Sequence, residues 1–356
     1  MAAGIGVDPR LPTETPLPEL GLDTFGDVTD GPDGVPLSQA RVLRHVVDEA
    51  VLADSLGVDF IGVGEHHRSD FAISAPEVVL AAIAGRTTRI RLGSAVTVLS
   101  SGDPVRVFER FSTLDAVSGG RAEVILGRGS FTESFPLFGY ELSDYEQLFE
   151  EKLELFAALR GEKPVTWRGE TRAPLTAQRV FPPTESGSLM TWIGVGGSQE
   201  SVIRAAHYAL PMMLAIIGGD PLRFAPYVEL YRRALERFNK PMLPIGVHSP
   251  GYVAETDAQA REELFPGMKA MRDRIGAERG WSPMTRADFE READWGSLYV
   301  GSPETVARKI AGTVQALGVA RFDMKYSAGS LSHDKLMQSI ELYGKRVIPM
   351  VRDLLA

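Results

Sequence analysis

The stretch VDFIGVGEHHRSD, residues Val58–Asp70, decides how the rest of the chain is interpreted. From Val58 to Val63 it is a short apolar run with β-branched side chains, which is typical of a buried parallel strand. The run ends abruptly in Glu65, His66 and His67. The carboxyl end of this strand is therefore predicted to present one carboxylate and two imidazoles to a cleft, where such groups can transfer protons.

The same alternation of strand and helix patterns continues on both sides of this stretch. Before it, Ser38 stands where a helix cap belongs and Gly57 where a helix stops. Short strands separated by helices predict parallel βα units. Eight strands are counted, starting near Leu20, Val58, Ile90, Ala122, Thr191, Met212, Pro244 and Phe322. The pattern predicts an α/β fold, a (β/α)8 TIM barrel with insertions, whose site lies at the carboxyl ends of the strands.

Domain organisation follows from the places where this alternation breaks. Residues 1–18 are rich in proline and glycine without periodicity, so they are predicted to form a disordered N-terminal extension. Residues 19–356 are predicted to form a single barrel domain. Two polar segments near residues 161–188 and 281–296 are predicted insertions, the first a small hairpin and the second with helical potential.

Charge and cysteine content exclude several classes of function. The formal net charge is -9 at pH 7 and no basic cluster compensates it, which argues against a nucleic-acid partner. The absence of cysteine excludes disulfides, a thiolate nucleophile and zinc–thiolate sites. No apolar stretch reaches membrane-spanning length, so a cytoplasmic protein without a membrane partner is expected.

The Glu65-His66-His67 triplet has two plainer explanations beside acid–base chemistry. Two histidines and an acid can bind zinc, but adjacent residues of an extended chain point to opposite faces, so these two imidazoles cannot easily share one ion. No metal site is predicted for this reason. Alternatively, the imidazoles satisfy backbone carbonyl groups at the strand end.

A glycine-rich stretch, Gly194–Ser201 (GVGGSQES), lies between a predicted strand and a predicted helix. Its glycines allow backbone amides to approach an anion, and the helix N-terminus favours negative charge. The dinucleotide spacing GxGxxG is absent, so a phosphate monoester fits better. The alternative is a tight turn capped by Ser198.

Arg128 stands between two glycines at another strand end, where it can reach the same phosphate. The alternative is a surface arginine paired with Glu123 or Glu133. The residues that follow are rich in aromatic side chains, which either wall a flat ring system or pack a long loop. They are Phe131, Phe135, Phe138 and Tyr140.

Together these residues resemble the bacterial-luciferase-like flavin monooxygenases. The resemblance runs from about Glu19 to the carboxyl terminus. The strongest matches are EHHRSDF at Glu65–Phe71, LGSAVTVLSSGDPVRVFERFSTLDAVSGGRAEVILGRG at Leu92–Gly129, FPLFG at Phe135–Gly139, and VGGSQES with ALPMML within Val195–Leu214. The resemblance implies a luciferase-like barrel that binds FMN.

The resemblance also implies roles for individual residues. His66 is expected to stand beside the flavin ring and to assist its oxygen chemistry, with Glu65 next to the flavin. The non-proline cis peptide of the family is expected at Ala95-Val96. The implied cofactor-binding residues are Ala95, Val96, Arg128, Phe131, Gly196, Gly197 and Ser198.

The leading hypothesis is an FMN-dependent, two-component monooxygenase. A separate flavin reductase supplies reduced flavin, and the enzyme uses O2 to oxygenate a small organic substrate. Two alternatives stay open, a deazaflavin-dependent hydride-transfer oxidoreductase and a flavin-binding protein without turnover. A metal-dependent barrel hydrolase is a more distant alternative. A homodimer is expected because the family is commonly dimeric through helices of its second and third βα units.

Overall fold

The computed structural model describes residues 17–31 and 33–356. Nearly all of the extension predicted for residues 1–18 therefore lies outside the described residues. The described chain forms a ring of parallel strands surrounded by helices. With strands numbered in chain order, the ring consists of β1 (Glu19–Thr24), β2 (Phe60–Val63), β3 (Arg91–Ser94) with its continuation β4 (Thr97–Val98), β5 (Ala122–Gly127), β8 (Met190–Val195), β9 (Met212–Ala215), β10 (Ile245–Val253) and β12 (Arg321–Lys325).

The ring closes because its first strand pairs with its last. Leu20 of β1 lies opposite Phe322 of β12, and Leu22 of β1 lies opposite Ile61 of β2, both in parallel register. The eight strands counted from the sequence correspond to the eight strand positions of this ring, with β3 and β4 together occupying one position. The predicted (β/α)8 TIM barrel is confirmed.

Helices cover the outside of the ring. The hydroxyl of Ser38 accepts the backbone N–H of Arg41, and Pro104 opens a helix capped by Asp103, as their sequence positions predict. The helices are α1 (Gln39–Ser55), α2 (Pro76–Ala84), α3 (Pro104–Ser118), α4 (Ser134–Phe138), α5 (Tyr145–Leu159), α6 (Gln199–His207), α7 (Ala225–Arg237), α8 (Asp257–Arg279), α9 (Arg286–Asp294), α10 (Pro303–Leu317), α11 (His333–Leu342) and α12 (Ile348–Leu355). Among the described residues, no helix combines the length and apolar character needed to cross a membrane.

Strand alternation divides the buried residues between two cores. Outward side chains such as Phe322 and Met324 join the large apolar core between strands and helices. Inward side chains form a small separate cluster around Phe60, Ile125 and Trp192. The interior is therefore filled by a few large side chains, and it also accepts charge.

A buried ion cluster forms the floor of the barrel. The guanidinium of Arg321 is fully buried; it donates to Glu123 at 2.7 Å and to Asp323 at 2.9 Å. The indole of Trp192 donates to the same Glu123 carboxylate at 2.7 Å. Because these charges are paired and hydrogen-bonded, the interior tolerates them, and they close the end of the barrel opposite the carboxyl ends of the strands.

The predicted insertions contain secondary structure of their own. Strands β6 (Val165–Trp167) and β7 (Leu175–Gln178) pair antiparallel, which confirms the hairpin expected within residues 161–188. Helix α9 lies within the segment 281–296, as its helical potential suggested. Strand β11 (Tyr299–Gly301), which pairs with the end of β10, was not predicted. The assignment of residues 19–356 to one domain stays a prediction.

Candidate functional site

The three residues that follow β2 separate at the barrel mouth. Glu65 turns back onto the neighbouring strand, where its carboxylate accepts the backbone N–H of Val98 at 2.8 Å. The other carboxylate oxygen lies 3.0 Å from Nε2 of His67. Glu65 and His67 therefore form one structural pair, and the ring of His67 rests edge-on against Phe138. His66 points elsewhere, as the alternation of an extended chain predicts.

His66 lies in an aromatic pocket. Its ring centroid is 4.3 Å from that of Phe25, 4.5 Å from that of Phe71 and 5.4 Å from that of Phe131. Burial lowers the pKa of His66 to about 4, so the imidazole is neutral at neutral pH. Its Nδ1 atom is buried and has no hydrogen-bond partner among the described residues. Nδ1 therefore satisfies no backbone carbonyl, whereas a backbone hydrogen bond to Gly64 acts on the imidazole and raises its pKa against the larger effect of burial. We call these four side chains the His66 pocket.

Phe131 is held in the His66 pocket by two arginines. The guanidinium of Arg68 lies 4.7 Å from its ring centroid and that of Arg279 lies 4.8 Å from it. Arg279 also donates to the backbone oxygen of Ser130 at 2.7 Å, and Arg68 pairs with Glu278 at 2.6 Å. The carboxyl end of α8 thus fixes the loop that follows β5.

The peptide between Ala95 and Val96 is cis, at the position predicted from the resemblance. It separates β3 from β4 and places the side chain of Val96 over the next two strands. A Cβ atom at Gly127 would lie 2.5 Å from Val96, and one at Gly194 would lie 3.3 Å from it. Glycine is needed at position 127 because the valine already fills the space, whereas a Cβ atom at position 194 would require Val96 to shift by a few tenths of an ångström.

Arg128 and the glycine-rich loop come together on the other side of the mouth. Arg128 lies over the ring of Tyr145 and forms an ion pair with Glu146. The alternative that Arg128 pairs with Glu123 or Glu133 is wrong, because Glu123 lies in the barrel floor and Glu133 pairs with Arg68.

The loop from Gly196 to Ser198 leads directly into α6. The hydroxyl of Ser198 caps this helix by accepting the N–H of Ser201, as predicted, and the backbone oxygen of Gly197 accepts from Tyr227 at 2.7 Å. Glu200 lies in the first turn of this helix. Hydrogen bonds from its own backbone N–H and from the Ser198 hydroxyl lower its pKa, as do the charges of Arg128 and Arg204.

Glu146 joins the two parts of this region, since it pairs with Arg128 and lies 3.5 Å from Arg204. We call Arg128, Glu146, Arg204 and the loop 196–198 the Arg128 rim.

Sequence reasoning assigned no role to three residues at the mouth. Phe25, which follows β1, contacts His66 and also lies 6.2 Å from the ring of His248. Nδ1 of His248 in turn lies 2.7 Å from the carboxylate of Asp23. His248 lies within the strand predicted to start near Pro244, but Asp23 and Phe25 carry no local pattern that distinguishes them from ordinary strand residues.

No group of three or more histidine, aspartate and glutamate side chains within residues 17–31 and 33–356 is arranged to hold a metal ion.

This geometry can be compared with known proteins. The family model of luciferase-like monooxygenases matches residues 25–321. The chain belongs to the luciferase-like monooxygenase family. It is an enzyme of the flavin-dependent oxidoreductase and monooxygenase class. The family accounts for the barrel.

Individual relatives span most of the chain. It is 36% identical to 4-hydroxyprotoasukamycin monooxygenase of Streptomyces nodosus subsp. asukaensis over 314 residues, which cover 83% of each chain.

Two solved structures share the fold. One is the oxygenating constituent of 3,6-diketocamphane monooxygenase of Pseudomonas putida in complex with FMN, with a TM-score of 0.76 and 20% identity over 94% of this chain and 98% of the other. The second is the coenzyme F420-dependent tetrahydromethanopterin reductase of Methanopyrus kandleri, with a TM-score of 0.69 and 17% identity over 94% of this chain and 99% of the other. At these identities the likeness shows the fold alone.

Proposed function

We propose that this enzyme is the oxygenating component of a two-component FMN monooxygenase. A separate flavin reductase supplies reduced FMN, and O2 oxygenates a small organic substrate. The observation that carries the proposal is His66, a half-buried neutral imidazole whose buried Nδ1 atom has no partner among the described residues and which lies at the mouth of the barrel. An unpaired buried polar atom costs stability, so it fits a group that is completed by a ligand.

The residues present fit FMN in two further ways. A Cβ atom built at Gly196 meets no atom within 4 Å, so the loop faces open space. The side chain of Arg128 is 25% exposed. Its partner in the ion pair, Glu146, is a surface carboxylate that an incoming phosphate can replace. In this proposal Arg128 and the backbone of Gly196, Gly197 and Ser198 hold the phosphate.

The other assigned residues shape the ring side of the site. Ala95 and Val96 would form a wall for the flavin ring, Phe131 would contact the ring, and Glu65 fixes the end of β2 through the backbone N–H of Val98. Reduced FMN supplies the electrons that activate O2. His66, held neutral, accepts or returns a proton at Nδ1, while Phe25 and Phe71 exclude water from it.

The proposal includes a homodimer and a cytoplasmic location. The outer faces of α2 and α3 expose Val78, 69% accessible, and Val117, 62% accessible, beside exposed Ala81 and Ala82. Such small apolar side chains suit close packing against a second copy. A cytoplasmic location gives the enzyme access to a reductase.

Cofactor binding separates the proposal from its main alternative. Because FMN and F420 enzymes share this fold, a deazaflavin-dependent hydride transferase is the second candidate. Titration with FMN, reduced FMN and F420, followed by fluorescence, is expected to show saturable binding of the FMN forms and weaker binding of F420. Oxygen consumption with reduced FMN then tests turnover. Preferential binding of F420, or FMN binding without substrate oxygenation across a broad substrate panel, contradicts the proposal.

A further inference from the structure

One residue of the Arg128 rim, Glu146, contacts both of its guanidinium groups. Oε1 of Glu146 forms the ion pair with Arg128, and Oε2 lies 3.5 Å from Nη2 of Arg204. The side chain of Glu146 is 61% exposed, so it has room to change its rotamer, whereas Arg204 is buried. The cation proposed to hold the phosphate of FMN is therefore already occupied by a carboxylate of the chain itself.

Arg128 has contacts that hold it in place without this carboxylate. Its guanidinium lies 5.4 Å from the ring centroid of Tyr145, and the hydroxyl of Tyr145 donates to the backbone oxygen of Gly129 at 2.9 Å. The ring of Tyr145 in turn stacks on that of buried Phe135, 5.5 Å away. These contacts tie the loop that follows β5 to the start of α5. Removal of the Glu146 charge is therefore expected to change the electrostatics of Arg128 and not its position.

Arg204 also has a carboxylate of its own. Glu150, one helical turn after Glu146 on α5, accepts from Nε of Arg204 at 2.5 Å. The guanidinium of Arg204 lies over the ring of Phe149, 5.2 Å from its centroid. A buried cation is thus fixed beside Arg128, and Glu146 can remain paired with it after releasing Arg128.

The charges of the rim explain why this release matters. Arg128 and Arg204 face three carboxylates, which belong to Glu146, Glu150 and Glu200. A phosphate monoester carries about −1.5 to −2 charges at pH 7. At the rim it meets two guanidinium groups that are already paired, so it binds Arg128 only by displacing a carboxylate of smaller charge.

We propose that Glu146 is an internal competitor for the phosphate of FMN, paired with Arg128 in the free enzyme and with Arg204 once the phosphate is bound. The inference rests on the proposed function for the identity of the ligand. Breaking the Arg128–Glu146 ion pair offsets part of the free energy of phosphate binding, so Glu146 weakens FMN binding and shortens its residence time. Glu146 thereby sets how fast bound FMN exchanges with free FMN.

The test removes the charge of Glu146 and keeps the shape of its side chain. Glu146→Gln is titrated with FMN and with riboflavin, which lacks the phosphate, and flavin fluorescence is followed. FMN is expected to bind about fivefold more tightly than to the wild-type protein, which is the upper range for an exposed ion pair. The dissociation rate of FMN, measured by stopped-flow displacement, should fall by a similar factor. Riboflavin affinity should be unchanged.

Glu154→Gln is the matched control. Glu154 is another exposed carboxylate of α5, eight residues and about 12 Å along the helix from Glu146. At physiological salt this distance exceeds the range over which exposed charges act, so FMN affinity should not change. Circular dichroism of each variant establishes that it is folded.

A double-mutant cycle with Arg128→Ala separates competition from simple repulsion. If Glu146 acts by occupying Arg128, Glu146→Gln adds nothing to FMN affinity in the Arg128→Ala background. A general repulsion of the phosphate by Glu146 would instead give the same gain in both backgrounds.

Each outcome decides the inference. Unchanged or weaker FMN binding in Glu146→Gln, an equal gain in Glu154→Gln, or an equal gain in the Arg128→Ala background overturns it. Inorganic phosphate serves as a probe that is independent of the flavin, and it should raise the thermal unfolding midpoint more in Glu146→Gln than in the wild-type protein. If this difference is present but FMN does not bind, the proposed function fails and the internal competitor stands. If FMN binds equally to both proteins, only the internal competitor fails.

Discussion

The two sides of the barrel mouth are built on opposite principles. The His66 pocket is aromatic, with Phe71 buried and His66, Phe25 and Phe131 half-buried, and its central imidazole has a pKa far below its usual value. The Arg128 rim consists of glycines and ion pairs; Gly196, Gly197 and Glu146 are exposed, the last 61% accessible, and Arg128 is partly exposed, while Arg204 is buried. A buried group controls protonation strongly because water cannot screen it, whereas exposed charges attract an anion weakly and reversibly. The aromatic side is suited to chemistry and the side with the ion pairs to holding a phosphate.

Removal of the imidazole at position 66 is expected to give the largest effect. His66→Ala should reduce substrate oxygenation by roughly 10²–10⁴-fold, the usual contribution of a positioned proton-transfer group. FMN affinity should stay within a few-fold, because the phosphate anchor is on the other side of the mouth. Product formation and FMN fluorescence titration measure the two quantities. His67→Ala is the control, and an equal loss of FMN binding in His66→Ala would remove the division between the two sides.

Removal of the cation at position 128 is expected to act mainly on FMN binding, in contrast to the loss of His66. Arg128→Ala should weaken FMN binding about tenfold, since a charged hydrogen bond to phosphate is lost, and should leave riboflavin binding unchanged. The wild-type preference for FMN over riboflavin should also fall with added salt. Arg86→Ala, an exposed arginine paired with Asp48, is the matched control. A parallel loss of riboflavin affinity would show that Arg128 supports the ring side instead.

The two sides of the mouth are also expected to differ in how far an added methyl group at a glycine lowers the free energy of unfolding. Gly127→Ala would bring a methyl group to 2.5 Å from Val96 and should destabilise the fold by about 1–3 kcal/mol. Gly196→Ala meets no atom within 4 Å and should change stability by less than about 0.5 kcal/mol. Urea unfolding of both variants measures the difference. Equal stabilities would mean that Val96 has room to move and that the ring wall is not rigid.

His66 is also expected to contribute a pH dependence of stability. Its pKa falls from an ordinary value of 6.5 in the unfolded chain to about 4 in the folded chain. As pH falls from about 6.5 to about 4, the unfolded chain binds a proton that folded His66 does not, so the free energy of unfolding decreases in this window. His66→Gln should flatten that part of the profile, while His67→Gln should retain it. NMR titration of the six histidines checks the assignment independently.

The barrel was predictable because each strand is an apolar run followed by a helical pattern, and that repeat is local in sequence. Strand β11 was missed because Tyr299–Gly301 is only three residues long and follows a polar insertion. The cis position at Ala95-Val96 came from the resemblance, since no local propensity marks it. The Asp23–His248 pair joins residues 225 positions apart, so no spacing rule could bring it together. The roles given to Glu65, His66, Arg128 and the loop 196–198 stay predictions, although the structure does place these residues around one mouth.

One end of the barrel is closed by the buried cluster of Trp192, Glu123, Arg321 and Asp323, so the barrel has a single opening. Arg321 is fully buried there, so no ligand passes through the amino-terminal end of the strands. Any two ligands that occupy the mouth together must enter and leave by the same route, and the one that lies deeper must arrive first and depart last. Ordered kinetics, with competition when the outer ligand is in excess, are therefore a consequence of the architecture and not of any residue at the reacting centre.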